Sequence, residues 1–458
     1  MLNQICIKTA EIILSVLSSQ TEVKDNAVCE PVEYFDSIYR LQAGVLNRLS
    51  EHVLGADSLF SRLEEHCSAE ELEALEVFNI WFKDQKIKKV NLSDLYELML
   101  LIEFPIQDGK ITADTENLDS IGSFYTPIEL ADKIVALTMD NYIYNNIGIE
   151  RFSSSVKSKS QIRSVKNLFL STGFGDYSCG TGSFHLAILR YFQSYLASSI
   201  QEMKRFSVNF RGIEADSLSL EIAKIQMLEM LGDTKMQGHF NRTFLHRNPL
   251  IAPNQEYPDY PFCLEFYYHN DLAMALNQIS KCDVLVGNPP WGTVDFDVQH
   301  YFHLLCPHLS KIEDETELEI ALENLSETHP NLYEWLLKHD ESIDLACEEI
   351  YNDERFEHST MGGLHTNVLF TELSNGLCSE IGTTGLVLKG STLADPLNKR
   401  LLKHLSDHNR IHARYDILNS NRIFNIDSSE EFSILILGNN ISSKVKHQTG
   451  LTKLSEIN

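Results

Sequence analysis

The chain has 458 residues, enough for two or three domains, and 43% of them are hydrophobic, as in ordinary globular proteins. A formal net charge of −27 argues against a chain that grips nucleic acid by itself, because phosphate binding requires basic surface. No long apolar run predicts a transmembrane helix, and Lys8 and Glu11 interrupt the apolar N-terminal stretch that a signal peptide would need. Nine cysteines without a CxxC pair predict reduced thiols in a cytoplasmic protein and no metal site.

The negative charge is concentrated in one segment of the chain. Residues 293–360 carry 18 Asp and Glu against 3 Lys and Arg, a contribution of −15. We interpret this segment as an acidic insertion. An ordinary solvated helical surface and a contact with a basic partner, or mimicry of DNA, both remain open for it.

Residues 1–115 predict an N-terminal helical accessory domain. Apolar residues recur there at helical spacing, as at Ile38, Leu41, Val45, Leu49 and Val53. Ser68 with Glu71 predicts a capping box, and Ser93 is predicted to cap the helix that follows. No cluster of titratable residues stands out, so the expected role of this domain is packing.

From residue 116 onward, strands alternate with helices. Thr126 is predicted as the N-cap of the first helix, with Pro127 and Glu129 in its first turn. Residues 151–166 read as a mildly basic loop. A strand then ends near Asp176, and a glycine-rich turn with Gly180 and Gly182 precedes a helix, so that a ligand can approach the backbone closely.

Two more acidic residues follow predicted strands. Val208–Ile213 is predicted as the second strand and ends in Glu214, a position that suits the two hydroxyls of a ribose in nucleotide-binding α/β folds. Residues 232–261 are predicted as a loop. Cys263–Tyr268 is predicted as the third strand, after which Asp271 is placed to accept a hydrogen bond from an adenine amino group.

The fourth predicted strand, Val284–Val286, runs into Asn288, Pro289, Pro290 and Trp291. Two prolines stiffen this loop, because each fixes its own φ. The Asn288 side-chain oxygen and the Pro289 carbonyl are both acceptors and suit an NH2 group with two protons to donate. Trp291 adds a flat face for stacking. The loop therefore predicts a pocket for an aromatic ring with an exocyclic amine, and adenine is the first candidate.

The remaining pattern continues the alternation of strands and helices. It predicts helices at 364–377 and 396–405 and strands at 385–389, 414–418 and 432–437. The alternation is typical of an α/β doubly wound sheet. We therefore predict a second domain over residues 116–458 that contains the acidic insertion.

Taken together, six motifs resemble the adenine-N6 DNA methyltransferases of restriction-modification systems over roughly residues 118–440. They are GSFYTP at 122–127, DYSCGTGSF at 176–184, GIEAD at 212–216, HND at 269–271, GNPPW at 287–291 and RIF at 422–424. Their order, with the FYTP element first, is similar to the γ arrangement of type I and type IIG enzymes. The resemblance implies a Rossmann-like class I methyltransferase sheet and S-adenosylmethionine as the methyl donor.

The resemblance also implies roles for single residues. The expected cofactor-binding residues are Tyr125, Thr126, Asp176, Gly180, Gly182, Glu214 and Asp271. The expected catalytic residues, which would hold a flipped adenine of double-stranded DNA, are Asn288, Pro289, Pro290 and Trp291. Phe424 matches a second aromatic residue that packs on the base from the other side.

The sequence departs from the family pattern in three ways. Tyr177 and Ser178 stand before Cys179, where the family has Asp-Pro and a small residue, and Trp291 replaces the commoner Tyr. No target-recognition domain is evident, so a separate specificity or defence-complex subunit is expected as a partner. No nuclease motif is found. RNA adenine or a protein glutamine as the acceptor, or a catalytically inactive binding subunit, remain as alternatives.

Overall fold

The computed structural model describes residues 1–54, 66–87, 89–115, 126–251, 281–424, 426–438 and 444–457. Tyr125, Asp271 and the predicted strand Cys263–Tyr268 lie outside the described residues. The chain divides into two compact units. The first comprises mainly Met1–Ile121 and Asp295–Leu345, and the second mainly Gly122–Pro258, Glu265–Val294 and Ala346–Asn458.

The described part of residues 1–115 is largely helical but also contains two short hairpins. Its elements are α1 (Leu2–Gln20), β1 (Val23–Lys24), β2 (Ala27–Val28), α2 (Pro31–Leu54), α3 (Ala69–Asp84), α4 (Leu92–Met99), β3 (Ile106–Gln107) and β4 (Lys110–Ile111). The prediction of helices alone missed both hairpins. Each turns through two residues with positive φ, Asp25 and Asn26 in one and Asp108 and Gly109 in the other. Asn, Asp and Gly accept this left-handed backbone, and such pairs are hairpin signals.

The helix caps of this unit test two local predictions. The Ser68 capping box is confirmed, because its hydroxyl accepts from the Glu71 backbone N–H at 3.2 Å and the Glu71 carboxylate accepts from the Ser68 N–H at 2.7 Å. The prediction that Ser93 caps α4 was wrong. Asn91 caps it instead by accepting from the Ser93 N–H at 3.1 Å. Both residue types cap well, and Ser93 is buried in the first turn.

The first half of the second unit runs from α5 to β8. Its elements are α5 (Ile128–Ile147), α6 (Lys159–Phe169), β5 (Phe174–Asp176), α7 (Ser183–Leu196), α8 (Ile200–Ser207), β6 (Phe210–Glu214), α9 (Ser217–Leu231), α10 (Gln237–Thr243), β7 (Phe244–His246) and β8 (Cys282–Gly287). The predicted strands that end at Asp176 and Glu214 are confirmed. The predicted helix start near Ser183 is confirmed as well.

Three predictions in this half were wrong. Helix α5 begins at Ile128 with Pro127 as its N-cap, and no side chain caps it, so Thr126 does not have the capping role. The predicted loop at 151–166 contains the start of α6, where Ser158 forms a capping box with Gln161. The predicted loop at 232–261 contains α10 and β7, whose three residues are too few to show a strand period.

The acidic insertion forms helices. They are α11 (Val298–Leu305), α12 (Glu315–Thr328) and α13 (Pro330–Asn352). Residues 295–345 belong to the first unit, where His329 Nε2 lies 2.8 Å from the Lys24 carbonyl and Trp335 stacks on Phe35 with 5.3 Å between ring centroids. Although this segment interrupts the second unit in chain order, apolar packing attaches most of it to the N-terminal helices.

The last part of the chain completes the large sheet. Its elements are α14 (Thr366–Leu377), β9 (Cys378–Lys389), α15 (Gly390–Ala394), α16 (Lys399–Asp407), β10 (Ile411–Leu418), β11 (Glu431–Gly438) and β12 (Lys446–Leu451). The 8-stranded sheet has the order β12-β10-β11-β9-β8-β5-β6-β7. Only β11 among these strands runs antiparallel to its neighbours. The predicted doubly wound α/β fold class is confirmed, and β12 is a strand that the sequence pattern did not predict.

Candidate functional site

The strand order of the large sheet reverses at β5. Strand β6 follows on one side of β5, and β8 lies on the other side. In open α/β sheets, ligands bind outside the carboxyl ends of the strands at such a switch point. The three strands end at Asp176, Glu214 and Gly287, so the predicted glycine turn, the Glu214 carboxylate and the Asn288–Trp291 loop all start from this edge.

The turn after β5 depends on its glycines. Gly180 and Gly182 have φ values of 49° and 92°, in the left-handed region that side chains disfavour. Gly182 is also the N-cap of α7, and a Cβ placed on it would lie 3.0 Å from the Cβ of Ala223 in α9. The turn therefore needs glycine for its backbone conformation and for its close approach to the next helix.

Glu214 ties the end of β6 to this turn. One carboxylate oxygen accepts from the Gly180 N–H at 2.7 Å, and the other accepts from the N–H groups of Ala215 and Asp216 at 3.0 and 3.1 Å. Burial, with the nearby Asp216 charge, raises the Glu214 pKa to about 7 against these hydrogen bonds. The carboxylate is thus preorganised next to the glycine turn and takes or loses a proton near neutral pH.

Asp176 holds an unused acceptor in the same place. Its side chain is fully buried, and Oδ1 accepts from the Ser178 N–H at 3.1 Å. Oδ2 has no hydrogen-bond partner among the described residues. Burial, with the Glu214 charge, raises the Asp176 pKa well above its ordinary value. A buried acceptor without a donor calls for an explanation, and a bound cationic or N–H group would supply one.

The loop after β8 starts against Asp176. A Cβ placed on Gly287, the last residue of β8, would lie 3.1 Å from Asp176 Oδ1. On the far side, the Thr366 hydroxyl lies 2.7 Å from the Pro290 carbonyl and 2.9 Å from the Gly292 carbonyl, and the Thr366 N–H also donates to Gly292. The first residue of α14 therefore fixes the backbone on both sides of Trp291.

The structure brings Asn288, Trp291 and Phe424 together. The Trp291 indole N–H donates to Asn288 Oδ1 at 3.0 Å, and the indole meets the Phe424 ring edge-on with centroids 5.3 Å apart. The sequence predicted all three as residues around one base. It did not predict that they would contact each other directly.

A single asparagine shapes the loop that carries Phe424. The Asn419 side-chain NH2 lies within hydrogen-bonding distance of the carbonyls of Phe424, Ile426 and Asp427, at 2.9, 3.2 and 3.2 Å. Its oxygen accepts from the Phe424 N–H at 2.9 Å. Asn419 is fully buried, so the position of Phe424 depends on it. Sequence reasoning missed Asn419 and Thr366, since nothing local marks either residue.

Two further buried residues follow β7. The Arg247 N–H donates to the Glu214 carbonyl at 2.8 Å, and the Asn248 side-chain oxygen accepts from the Leu250 N–H at 3.0 Å. Sequence reasoning placed them in a loop. The sequence signal for β7 was the short apolar pair Phe244-Leu245 followed by polar residues. It repeats, on a smaller scale, the apolar strand β6 and the polar residues after it.

The remaining predicted residues are less informative. Thr126 is buried just before α5, and within the described part of the chain its side chain makes no hydrogen bond to the other predicted site residues. Tyr125 and Asp271 lie outside the described residues. Among the residues that are described, no three His, Cys, Asp or Glu side chains form a group that could hold a metal ion. None of the described helices combines the length and apolar character needed to cross a bilayer.

Comparison by sequence finds no matching protein-family model and no matching curated protein. Comparison by structure finds large restriction-modification enzymes. One is a nuclease-deletion mutant of the Type ISP restriction-modification enzyme LlaGI in complex with a DNA substrate mimic. It matches at 14% identity over 98% of this chain and 35% of that chain, with a TM-score of 0.52. The ATP-dependent Type ISP enzyme LlaBIII bound to DNA matches at 15% identity over 98% and 29%, with a TM-score of 0.53.

A third similar structure is the DrdV–DNA complex, at 10% identity over 98% of this chain and 41% of that chain, with a TM-score of 0.54. The chain thus spans well under half the length of each of these three proteins. At such low identity the likeness concerns the fold. The large sheet has the open, doubly wound, Rossmann-like arrangement of strands and helices.

Proposed function

We propose that this chain is an S-adenosylmethionine-dependent methyltransferase that methylates the N6 amino group of adenine in DNA. It acts as the modification component of a restriction-modification or phage-defence system. One observation carries the proposal. The loop that carries two acceptors and an indole starts at Gly287, where an added Cβ would lie 3.1 Å from the buried Asp176 Oδ1, at the switch point of the doubly wound sheet. The DNA-bound restriction-modification enzymes of similar fold add support.

The residues at the switch point fit S-adenosylmethionine. Its ammonium group matches the buried Asp176 Oδ2 that lacks a donor, and its ribose hydroxyls match the carboxylate of Glu214. The glycines at 180 and 182 leave the backbone open to a close ligand. When bound, this cofactor supplies an electrophilic methyl group on a sulfonium. Tyr125, Thr126 and Asp271 remain proposed contacts by resemblance alone.

The chain's own part in the reaction is to position the amine. The adenine N6 lone pair is delocalised into the ring, which makes the amine a poor nucleophile. Hydrogen bonds from its two protons to Asn288 Oδ1 and the Pro289 carbonyl draw the nitrogen toward tetrahedral geometry and localise that lone pair. Because the backbone of this loop is fixed by its prolines and by Thr366, the acceptors hold their positions during the reaction.

Neither acceptor is a base, so the proton that N6 loses on methylation leaves to solvent. Pro290 contributes stiffness rather than a contact, since its ring restricts the backbone before Trp291. Stacking on Trp291 and Phe424 offsets part of the few kcal/mol that eversion of a base from a duplex costs. The net charge of −27 favours a basic partner, a separate specificity subunit, that supplies most of the DNA-binding surface.

The decisive experiment compares modified bases in cells that carry the wild-type chain, the Asn288→Ala variant or a deletion. Long-read sequencing is expected to find N6-methyladenine at a defined sequence in the wild type and in neither of the other strains. Asn352→Ala, a change at an exposed asparagine on α13, serves as the matched control and is expected to keep the methylation.

Two results would count against the proposal. Equal adenine methylation in all strains would remove DNA adenine as the acceptor, and labelled cofactor offered to RNA and to protein glutamine would then test those acceptors. A purified chain that shows no S-adenosylmethionine binding by calorimetry would overturn the cofactor assignment itself.

A further inference from the structure

The space between Trp291 and Phe424 is closed in this structure. The two ring centroids lie 5.3 Å apart with an angle of 68° between the planes. A base stacked between two aromatic rings needs both rings parallel to it and about 7 Å apart, because each face-to-face contact requires roughly 3.5 Å. Phe424 is only 3% exposed, so no base can reach its ring while the indole stays in place.

The acceptor that the amine needs is also engaged. Trp291 Nε1 donates to Asn288 Oδ1 at 3.0 Å, and an indole nitrogen is a donor only. The Trp291 side chain therefore covers the Phe424 ring and also occupies a lone pair of Asn288 Oδ1. One movement of one residue would free both.

The packing indicates which ring moves. Phe424 is held on two sides, by Asn419 through its backbone and by an edge-on contact with Phe432 at 5.0 Å. Trp291 is only half-buried. Its backbone is fixed at both neighbours by Thr366, so the freedom that remains is rotation of the side chain.

We propose that Trp291 is an aromatic gate that selects the base admitted to the pocket, an inference that rests on the proposed methyltransferase function. A base enters when the indole rotates away from Phe424 and Asn288. An amine at C6 of the ring replaces the indole N–H as the donor to Asn288 Oδ1. A base without that amine leaves this oxygen without a donor, and the gate closes again. Trp291 is thus a positioning and specificity-determining residue as well as a stacking platform.

The gate is tested by NMR on the full chain with its indole nitrogens labelled with 15N. The chain has three tryptophans, so Trp291→Phe assigns the resonance of interest, and Trp81 and Trp335 act as internal references. In the free chain, the Trp291 indole proton is expected downfield and protected from exchange. Asn288→Ala is expected to move it upfield and to speed its exchange about fivefold, the equivalent of one neutral hydrogen bond.

Two DNA duplexes that carry the sequence mapped in cells then test the opening. One has adenine at the target position and the other has 2-aminopurine, which lacks the amine at C6. The adenine duplex is expected to shift the Trp291 resonance, and the 2-aminopurine duplex is expected to leave it near its free position.

Each other outcome decides the question. A chain that methylates the adenine duplex while its Trp291 resonance stays unchanged overturns the gate and leaves the proposed function intact. Equal shifts with both duplexes overturn the selection of the amine. If the chain methylates neither DNA in the tube nor DNA in the cell, the proposed function fails, and the gate fails with it.

Discussion

Replacing Glu214 by glutamine separates the energetic cost of a partly buried carboxylate from its proposed use in cofactor binding. Raising the Glu214 pKa from 4.5 to about 7 corresponds to about 3 kcal/mol against the ionised form. Because the folded chain binds the proton more tightly than the unfolded chain, this group destabilises the fold as pH rises from 4.5 to 7. Below pH 4.5 the group is protonated in both states and the penalty is absent.

Glutamine removes that penalty but loses one acceptor. If its oxygen keeps the N–H groups of Ala215 and Asp216, its NH2 faces the Gly180 N–H, and a donor left unpaired in this partly buried place costs up to about 1–3 kcal/mol. At pH 8 the two effects oppose each other. The free energy of unfolding of Glu214→Gln without cofactor is therefore expected within about 2 kcal/mol of the wild type, with a flatter dependence on pH between 5 and 7.

Whereas the stability of Glu214→Gln is expected to change little, its affinity for the cofactor is expected to fall. Loss of hydrogen bonds between ribose hydroxyls and a charged carboxylate costs about 1.5–3 kcal/mol, which weakens S-adenosylmethionine binding by about 10- to 150-fold. Titration calorimetry at pH 8 measures the affinity, and chemical denaturation from pH 5 to 8 measures the stability. Glu229→Gln, at an exposed position of α9, is the control and is expected to change neither.

Two results would refute this reasoning. Binding of S-adenosylmethionine to Glu214→Gln within about threefold of the wild type at pH 8 would remove the residue from the ribose site. If the wild type gained stability from pH 5 to 7 relative to Glu214→Gln, the pKa of Glu214 would not be raised in the folded chain.

Three further substitutions test the site and its support. Asp176→Asn is expected to raise the free energy of unfolding at pH 8, because it removes a buried carboxylate with a raised pKa, and a destabilised variant would contradict that reason. The same variant is expected to bind the cofactor more weakly in calorimetry. Gly182→Ala is expected to lower the free energy of unfolding in urea by about 1–3 kcal/mol, through left-handed backbone strain and the close contact with Ala223. Gly232→Ala, at φ 58° with open space around it, is the control and is expected to lose only the strain of about 1 kcal/mol. Equal losses in the two variants would exclude a contribution from the contact with Ala223. Asn419→Ala is expected to lose about 3 kcal/mol or more in the same assay, and a loss under about 1 kcal/mol would contradict its role around Phe424.

The sequence by itself determined those features that are encoded over a few neighbouring residues. Alternating apolar runs and turns were enough for the strands that end at Asp176 and Glu214 and for the helix after Gly182. The capping box at Ser68 and the rigid loop after β8 have signals within four residues. Local steric and hydrogen-bonding preferences act over this range, so a single sequence reveals them.

Only the tertiary structure decided the features that join distant segments. Asn288 and Trp291 are three residues apart, yet the hydrogen bond between them could not be inferred from the sequence. The position of Trp291 involves the ring of Phe424 and the backbone contacts of Thr366, which lie in distant parts of the chain. The unused oxygen of Asp176 is defined by what surrounds it after folding. The same holds for the acidic helices, whose aromatic residues pack in the first unit although they interrupt the second along the chain. Apolar burial is not directional, so it selects partners by available surface rather than by separation in the sequence.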